Sequence, residues 1–156
     1  MVHRVTAPND TGTPRPLLTA DFSLLEAKQL LNLMDYALQA LVELARSGGS
    51  TPVPIGELAR RRDIPVQFLE QLFAVLRRAG LLKSQRGVKG GYTFAREPAD
   101  ITVLEVVELL DGPVGAEAKS IFAEAAAAAR AVLANATVAD IVERENRAAG
   151  ASMYYI

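Results

Sequence analysis

Gln67, Glu70 and Gln71 stand at i, i+3 and i+4 of the stretch VQFLEQLFAVLRR, which puts them on neighbouring rows of a helix surface if that stretch is helical. Two amides and a carboxylate at this spacing form a hydrogen-bonding edge. A Gln pairs with adenine through its donor and its acceptor together, and a Glu accepts from the amino group of cytosine. Alone, such a face is ordinarily only solvated. Here cations bracket it: Arg60, Arg61 and Arg62 precede it, and Arg77, Arg78, Lys83, Arg86 and Lys89 follow. Phosphate contacts need cations placed around a reading helix in this way. The net charge of −1 hides this concentration, since residues 60–96 hold 9 Lys/Arg against 2 Asp/Glu. That block carries +7, while residues 1–59 carry −2 and residues 97–156 carry −6. A basic middle between acidic flanks is the pattern of a local polyanion site.

The second group lies in LLKSQRGVKGGYTFA, residues 81–95, where Gly87, Gly90 and Gly91 stand among Lys83, Arg86 and Lys89. A turn needs one or two glycines to reach positive φ. Three with cations between them suit a backbone that also approaches a negative surface. A nucleotide phosphate loop would join a strand to a helix N-terminus and carry Ser or Thr after its Lys. Here Gly90 follows Lys89 and both flanks have strand character, so that chemistry fails. A slim glycine wing fits a narrow minor groove instead, where Arg86 meets the enhanced negative potential.

Other chemistries lack their parts. The chain has no cysteine, and its one histidine is His3. A thiolate nucleophile, a zinc site and a Ser–His–Asp triad are therefore missing members, and the expectation is a non-enzyme that needs no cofactor. No run of about 18 uncharged apolar residues occurs, which predicts a soluble, cytoplasmic protein without membrane association.

These groups must be positioned by a small set of elements. Residues 1–20, with Pro8, Pro14 and Pro16 among polar residues, are expected to form a flexible tail. A long helix starts near Ser23, where Ser23 and Glu26 have capping-box spacing, and ends before Gly48-Gly49. Two shorter amphipathic helices follow at about 55–62 and 66–79, parted only by Asp63-Ile64-Pro65. Ile55, Leu58 and Ala59, then Phe68, Leu69, Leu72, Phe73 and Leu76, supply their buried faces, although Pro54 and Pro65 leave both starts without a side-chain cap. Gly80 stops the second. Strands at 81–85 and 92–95 enclose the glycine turn. A helix-turn-helix followed by a hairpin is a winged helix.

Thr102 and Glu105 then form a capping box for a helix ended by Asp111-Gly-Pro113. An alanine-dense helix runs over 116–134, and Thr137 with Asp140 caps a last one over about 138–146. Ile121, Phe122, Val132 and Leu133 give the alanine helix apolar edges that suit a partner helix. The fold expected is mainly α with a small β-hairpin, a winged helix-turn-helix plus a long C-terminal dimerisation helix. Its divisions are a tail at 1–20, the DNA-binding unit at 21–97 and a helical dimerisation region with a C-terminal tail at 98–156.

DYALQALVELA, PIGELARRRDIPVQFLEQLFAVLRRAGLLKSQRGVKGGYTFA and DITVLEVVELLDGP resemble successive blocks of the Rrf2 family of bacterial winged-helix regulators, over about residues 33–114. The resemblance implies a cytoplasmic homodimer that reads a palindromic operator in double-stranded DNA. It places Gln67, Glu70 and Gln71 at the family's base-reading positions and Arg86 at its minor-groove arginine. The family's wing usually runs Arg-Gly-Pro-Gly-Gly-Gly-Tyr, whereas this chain has Val88-Lys89 and gains a charge. Cluster-sensing members carry three cysteines just after the position of Pro113, and GPVGAEAKS has none. Members also begin with a basic Ser/Thr-Lys phosphate grip where this chain has Leu30-Leu-Asn-Leu-Met34. That loss keeps a second possibility open, a winged-helix protein–protein module that has given up DNA.

The ending TVADIVERENRAAGASMYYI is similar to that of the family's cysteine-metabolism repressors, which form a complex with cysteine synthase. The resemblance implies that Tyr154, Tyr155 and Ile156 dock such a partner, with Gly150-Ala151-Ser152 as a hinge. Packing of the same residues on the protein's own dimer is the alternative.

Overall fold

In the computed structural model, residues 24–48 and 50–153 are described. Among them the helices are α1 (Leu24–Arg46), α2 (Ile55–Arg61), α3 (Val66–Arg78), α4 (Val103–Asp111), α5 (Ile121–Ala134) and α6 (Val138–Met153). The strands β1 (Leu82–Gln85) and β2 (Gly91–Phe94) lie between α3 and α4, and a 3-10 turn at Pro98–Asp100 leads into α4. The expected tail at 1–20, the Ser23 cap and residues Tyr154, Tyr155 and Ile156 fall outside the described residues.

The turn between α2 and α3 is closed by Asp63, which takes the left-handed conformation at φ 52°. The Ile64 N–H thereby reaches back to the Ala59 carbonyl at 2.9 Å, and Ile64 is buried. Gly80 does the same for α3 at φ 83°, with the Leu81 N–H donating to Leu76 O at 3.0 Å. Pro54 and Pro65 form the two helix starts without a side-chain cap, as their sequence predicts.

One core cluster holds the fold. Leu69, Leu72, Phe73 and Leu76 of α3 pack with Ala37, Ala40, Leu41 and Leu44 of α1 and Leu58 and Ala59 of α2. Leu82, Ile101, Val106, Leu110 and Val138 belong to the same cluster, so no break in the core accompanies the division placed at residue 97.

Three sequence expectations need correction. Phe68 is not on the buried face of α3: it is 46% exposed. Positions 69, 72, 73 and 76 already complete the i, i+3, i+4, i+7 stripe, which leaves residue 68 on the flank. The alanine helix starts at Ile121 rather than 116, because Gly112, Gly115 and Ser120 all take positive φ before it. The last helix runs to Met153, straight through the Gly150-Ala151-Ser152 hinge. One glycine costs about 1 kcal/mol against alanine in a helix, too little to stop it beside three alanines.

Candidate nucleic-acid interface

On α3 the four buried residues face the core, and Gln67, Gln71, Ala74 and Arg78 line the opposite ridge at i, i+4, i+7 and i+11. Gln67, Glu70 and Gln71 are all exposed. Glu70 sits on one flank of the ridge with Val66 and Arg77, and Phe68 on the other with Val75. Sequence reasoning missed Val66 and Phe68 as surface residues of this helix. The signal that finds Phe68 is the stripe that is complete without it.

The hairpin is held against α3. The Tyr92 ring meets the Phe73 ring edge-on, with centroids 5.2 Å apart and planes at 81°. The Arg77 guanidinium donates to Ser84 Oγ at 3.2 Å. A third segment joins from before α2: the Val53 N–H donates to Tyr92 O at 3.0 Å, and the Tyr92 N–H to Val53 O at 2.9 Å. The register pairs Gln85 with Gly91, so Arg86, Gly87, Val88, Lys89 and Gly90 form the tip.

The tip glycines divide by role. A Cβ on Gly91 would lie inside the backbone of Val53 and Pro54, and one on Gly90 would overlap Gln85 O. Both are needed for the chain's own close packing. Gly87, at φ 117° with open space around it, is the one that thins the outer edge. Arg86, Val88 and Lys89 project from the tip, and Val88 is fully exposed.

The cations fall into two sets. Arg62 donates to Glu43 Oε2 at 2.8 Å and to both Glu145 oxygens at 3.2 and 3.0 Å, and Arg61 pairs with Glu57 and with Glu43 at 3.3 Å. Burial pushes the Glu43 carboxyl up, but the hydrogen bonds and charges of Arg62 and Arg61 outweigh it and hold it below the usual glutamate value. Arg62 is raised chiefly by its hydrogen bond with Glu145, and Arg61 by that with Glu57. These two arginines join α2 to α1 and α6, and their charge is met by carboxylates. Arg60, Arg77, Arg78, Lys83, Arg86 and Lys89 make no ion pair among the described residues and are exposed. Arg77 and Arg78 belong to the last turn of α3 itself, Arg60 to the last turn of α2, Lys83 to β1, and Arg86 and Lys89 to the tip.

Two features lie away from this face. Among the described residues no helix is long and apolar enough to cross a membrane. α5 has no buried residue, and Ile121, Phe122 and Val132 on it are 63%, 74% and 67% exposed. It is held to α4 by the Arg130–Glu108 pair, and Glu108 also accepts from the Val114 N–H at 3.2 Å.

A helix-turn-helix, a wing pinned to its second helix and a cationic rim define a winged-helix protein. Residues 30–144 match the family described as "Rrf2: Iron-dependent Transcriptional regulator", and the chain belongs to that family. It is 39% identical over 79 residues to the HTH-type transcriptional regulator CymR of Bacillus subtilis, 51% of this chain and 57% of that one. It is 45% identical over 83 residues to the HTH-type transcriptional regulator IscR of Cereibacter sphaeroides, 52% of this chain and 54% of that one. The chain thus matches about half the length of these curated relatives. Among solved structures, T. potens IscR superposes with a TM-score of 0.66 at 37% identity, over 74% of this chain and 87% of that one. CymR (YrzC), the global cysteine regulator of B. subtilis, gives 0.65 at 28% identity, over 81% and 98%.

The family's description names iron. With no cysteine in the chain, and no group of three His, Cys, Asp or Glu able to hold a metal among the described residues, the donors that those residues offer do not fit an iron centre.

Proposed function

We infer that this chain is a homodimeric transcriptional repressor that reads double-stranded DNA and works without an iron–sulfur cluster. The observation that carries this is the exposed Gln67/Glu70/Gln71 face of α3, together with cations on α2, α3, β1 and the tip that no carboxylate of the described residues neutralises. The ridge enters the major groove. Gln67, Glu70 and Gln71 meet base edges, while Arg60, Arg77, Arg78 and Lys83 hold phosphates. Arg86, carried on the tip with Gly87 and Lys89, enters the adjacent minor groove, and Gly90 and Gly91 shape the base that aims it. Arg61 and Arg62 act one step back, fixing α2 on α1 and α6. The apolar face of α5 pairs with a second copy, which sets two reading helices one helical turn apart on a palindromic operator.

Selection of bound sequences from random duplex DNA tests this, with Arg86→Ala as the variant. A palindrome with half-sites about 10 base pairs apart is expected. The variant is expected to bind it more weakly by about 1–3 kcal/mol. No enriched sequence, or equal affinity of both proteins, overturns the assignment and favours a protein–protein module.

The finer reading is regulation of cysteine or sulfur metabolism genes through a complex with cysteine synthase. It is supported by the C-terminal sequence and by the likeness to a global cysteine regulator. With α6 helical through Gly150 to Met153, the docking residues proposed are Tyr154, Tyr155 and Ile156. Deleting Ile156 is expected to abolish capture of cysteine synthase while dimerisation and operator binding persist. Loss of the dimer instead makes those residues a structural strap.

A further inference from the structure

We propose that Phe68 reads the 5-methyl group of a thymine in the operator half-site; the proposal rests on the DNA-binding reading above. Phe68 is the one aromatic ring of α3 outside the core. It is 46% exposed, while Phe73 on the same helix is completely buried. Its place is the first turn, next in sequence to Gln67 and one turn before Leu72, on the flank of the ridge that Gln67 and Gln71 form. An apolar ring left half in water at the edge of a polar reading face has a cost that a partner surface removes.

The groove supplies such a surface. An A·T pair shows adenine N7 and N6, then thymine O4, then the thymine methyl. A Gln that pairs with N7 and N6 uses the adenine side completely and leaves the methyl as the remaining feature of that pair or of its neighbour. An apolar side chain beside the Gln meets it, and Phe is among the residue types suited to do so. The charge on α3 argues for DNA rather than another protein as the occupant, because Arg77 and Arg78 in its last turn have no carboxylate partners among the described residues.

The test uses the full chain and the duplex recovered by selection, with each thymine replaced in turn by deoxyuridine, which lacks only the methyl. At one thymine per half-site the exchange is expected to weaken the wild-type protein about four-fold, the worth of one buried methyl. Phe68→Ala is expected to bind both duplexes equally, and Phe68→Leu to keep part of the preference. Thermal unfolding of the unbound variants should match the wild type, since the ring is outside the core. A deoxyuridine profile that is flat in the wild type, or identical in wild type and Phe68→Ala, overturns the proposal while the repressor stands. A lower melting temperature or weaker dimer in Phe68→Ala with an unchanged profile assigns the ring to packing and overturns it also. Failure of the wild type to bind any selected duplex removes the DNA-binding reading itself.

Discussion

Val132→Glu should leave the protein monomeric and cut operator affinity by about 100-fold or more. Ile121, Ala125, Ala128 and Val132 stand at i, i+4, i+7 and i+11 of α5, an apolar seam with small residues at its centre. Nothing in the described chain covers it, and Val132 is 67% exposed. In a two-fold dimer each substitution occurs twice across one interface, so two unpaired carboxylates would be buried at a cost of several kcal/mol each. A monomer engages one half-site and forfeits the gain of linking two, which is worth about 100- to 10,000-fold. Sedimentation and operator titration at matched salt check this. A Val132→Glu protein that stays dimeric with unchanged affinity sinks the α5 interface. Because residue 132 is exposed within one copy, the variant is expected to keep the wild-type fold by circular dichroism.

Gly91→Ala should destabilise the protein by about 3–5 kcal/mol. Its Cβ would lie inside the Val53 backbone, so either the β2 start or the Val53 segment must move. Movement breaks the two hydrogen bonds between Val53 and Tyr92, each worth about 1 kcal/mol. The backbone at Gly91, φ 154°, is one that side chains rarely adopt, which adds about 1–3 kcal/mol of strain. The Tyr92 ring then loses its seat on Phe73, and the wing is no longer aimed. Urea unfolding measures the first effect. The loss of any further penalty from Arg86→Ala in the Gly91→Ala background measures the second. Gly87→Ala, which meets no neighbour, is the control and should cost less. Equal stability of Gly91→Ala and wild type would show that Val53 does not hold the wing.

Much of this was legible in the sequence, for local reasons. Pro54 and Pro65 mark helix starts, Gly80 marks a stop, and the glycine turn between two short apolar runs announces the hairpin. Each signal acts within a few residues. Phe68 reads as buried because Phe68-Leu69 offers two adjacent apolar residues, and only the stripe completed by 69, 72, 73 and 76 tells them apart. Gly150 reads as a hinge when taken by itself, but a glycine breaks a helix only where its neighbours are also poor helix formers, and these are alanines. The ion pairs of Arg62 were beyond any local pattern, with Glu43 lying 19 positions away and Glu145 lying 83. Three arginines in a row look identical in a sequence. Tertiary structure assigns two of them to carboxylates and leaves Arg60 facing outward. Gly90 and Gly91 look like groove-fitting glycines, but the chain's own backbone already requires them.

The Arg62–Glu145 pair also has a consequence in time. A ribosome makes the guanidinium first and the carboxylate about 4–17 s later, at ordinary elongation rates over 83 residues. Through most of that interval the Val138 site in the core is vacant as well, since α6 has not yet been started. The α2 end therefore reaches its final setting on α6 only once residue 145 has been made. On the DNA-binding reading, a chain cut short before α6 carries an unfinished head and makes a poor competitor for the operator.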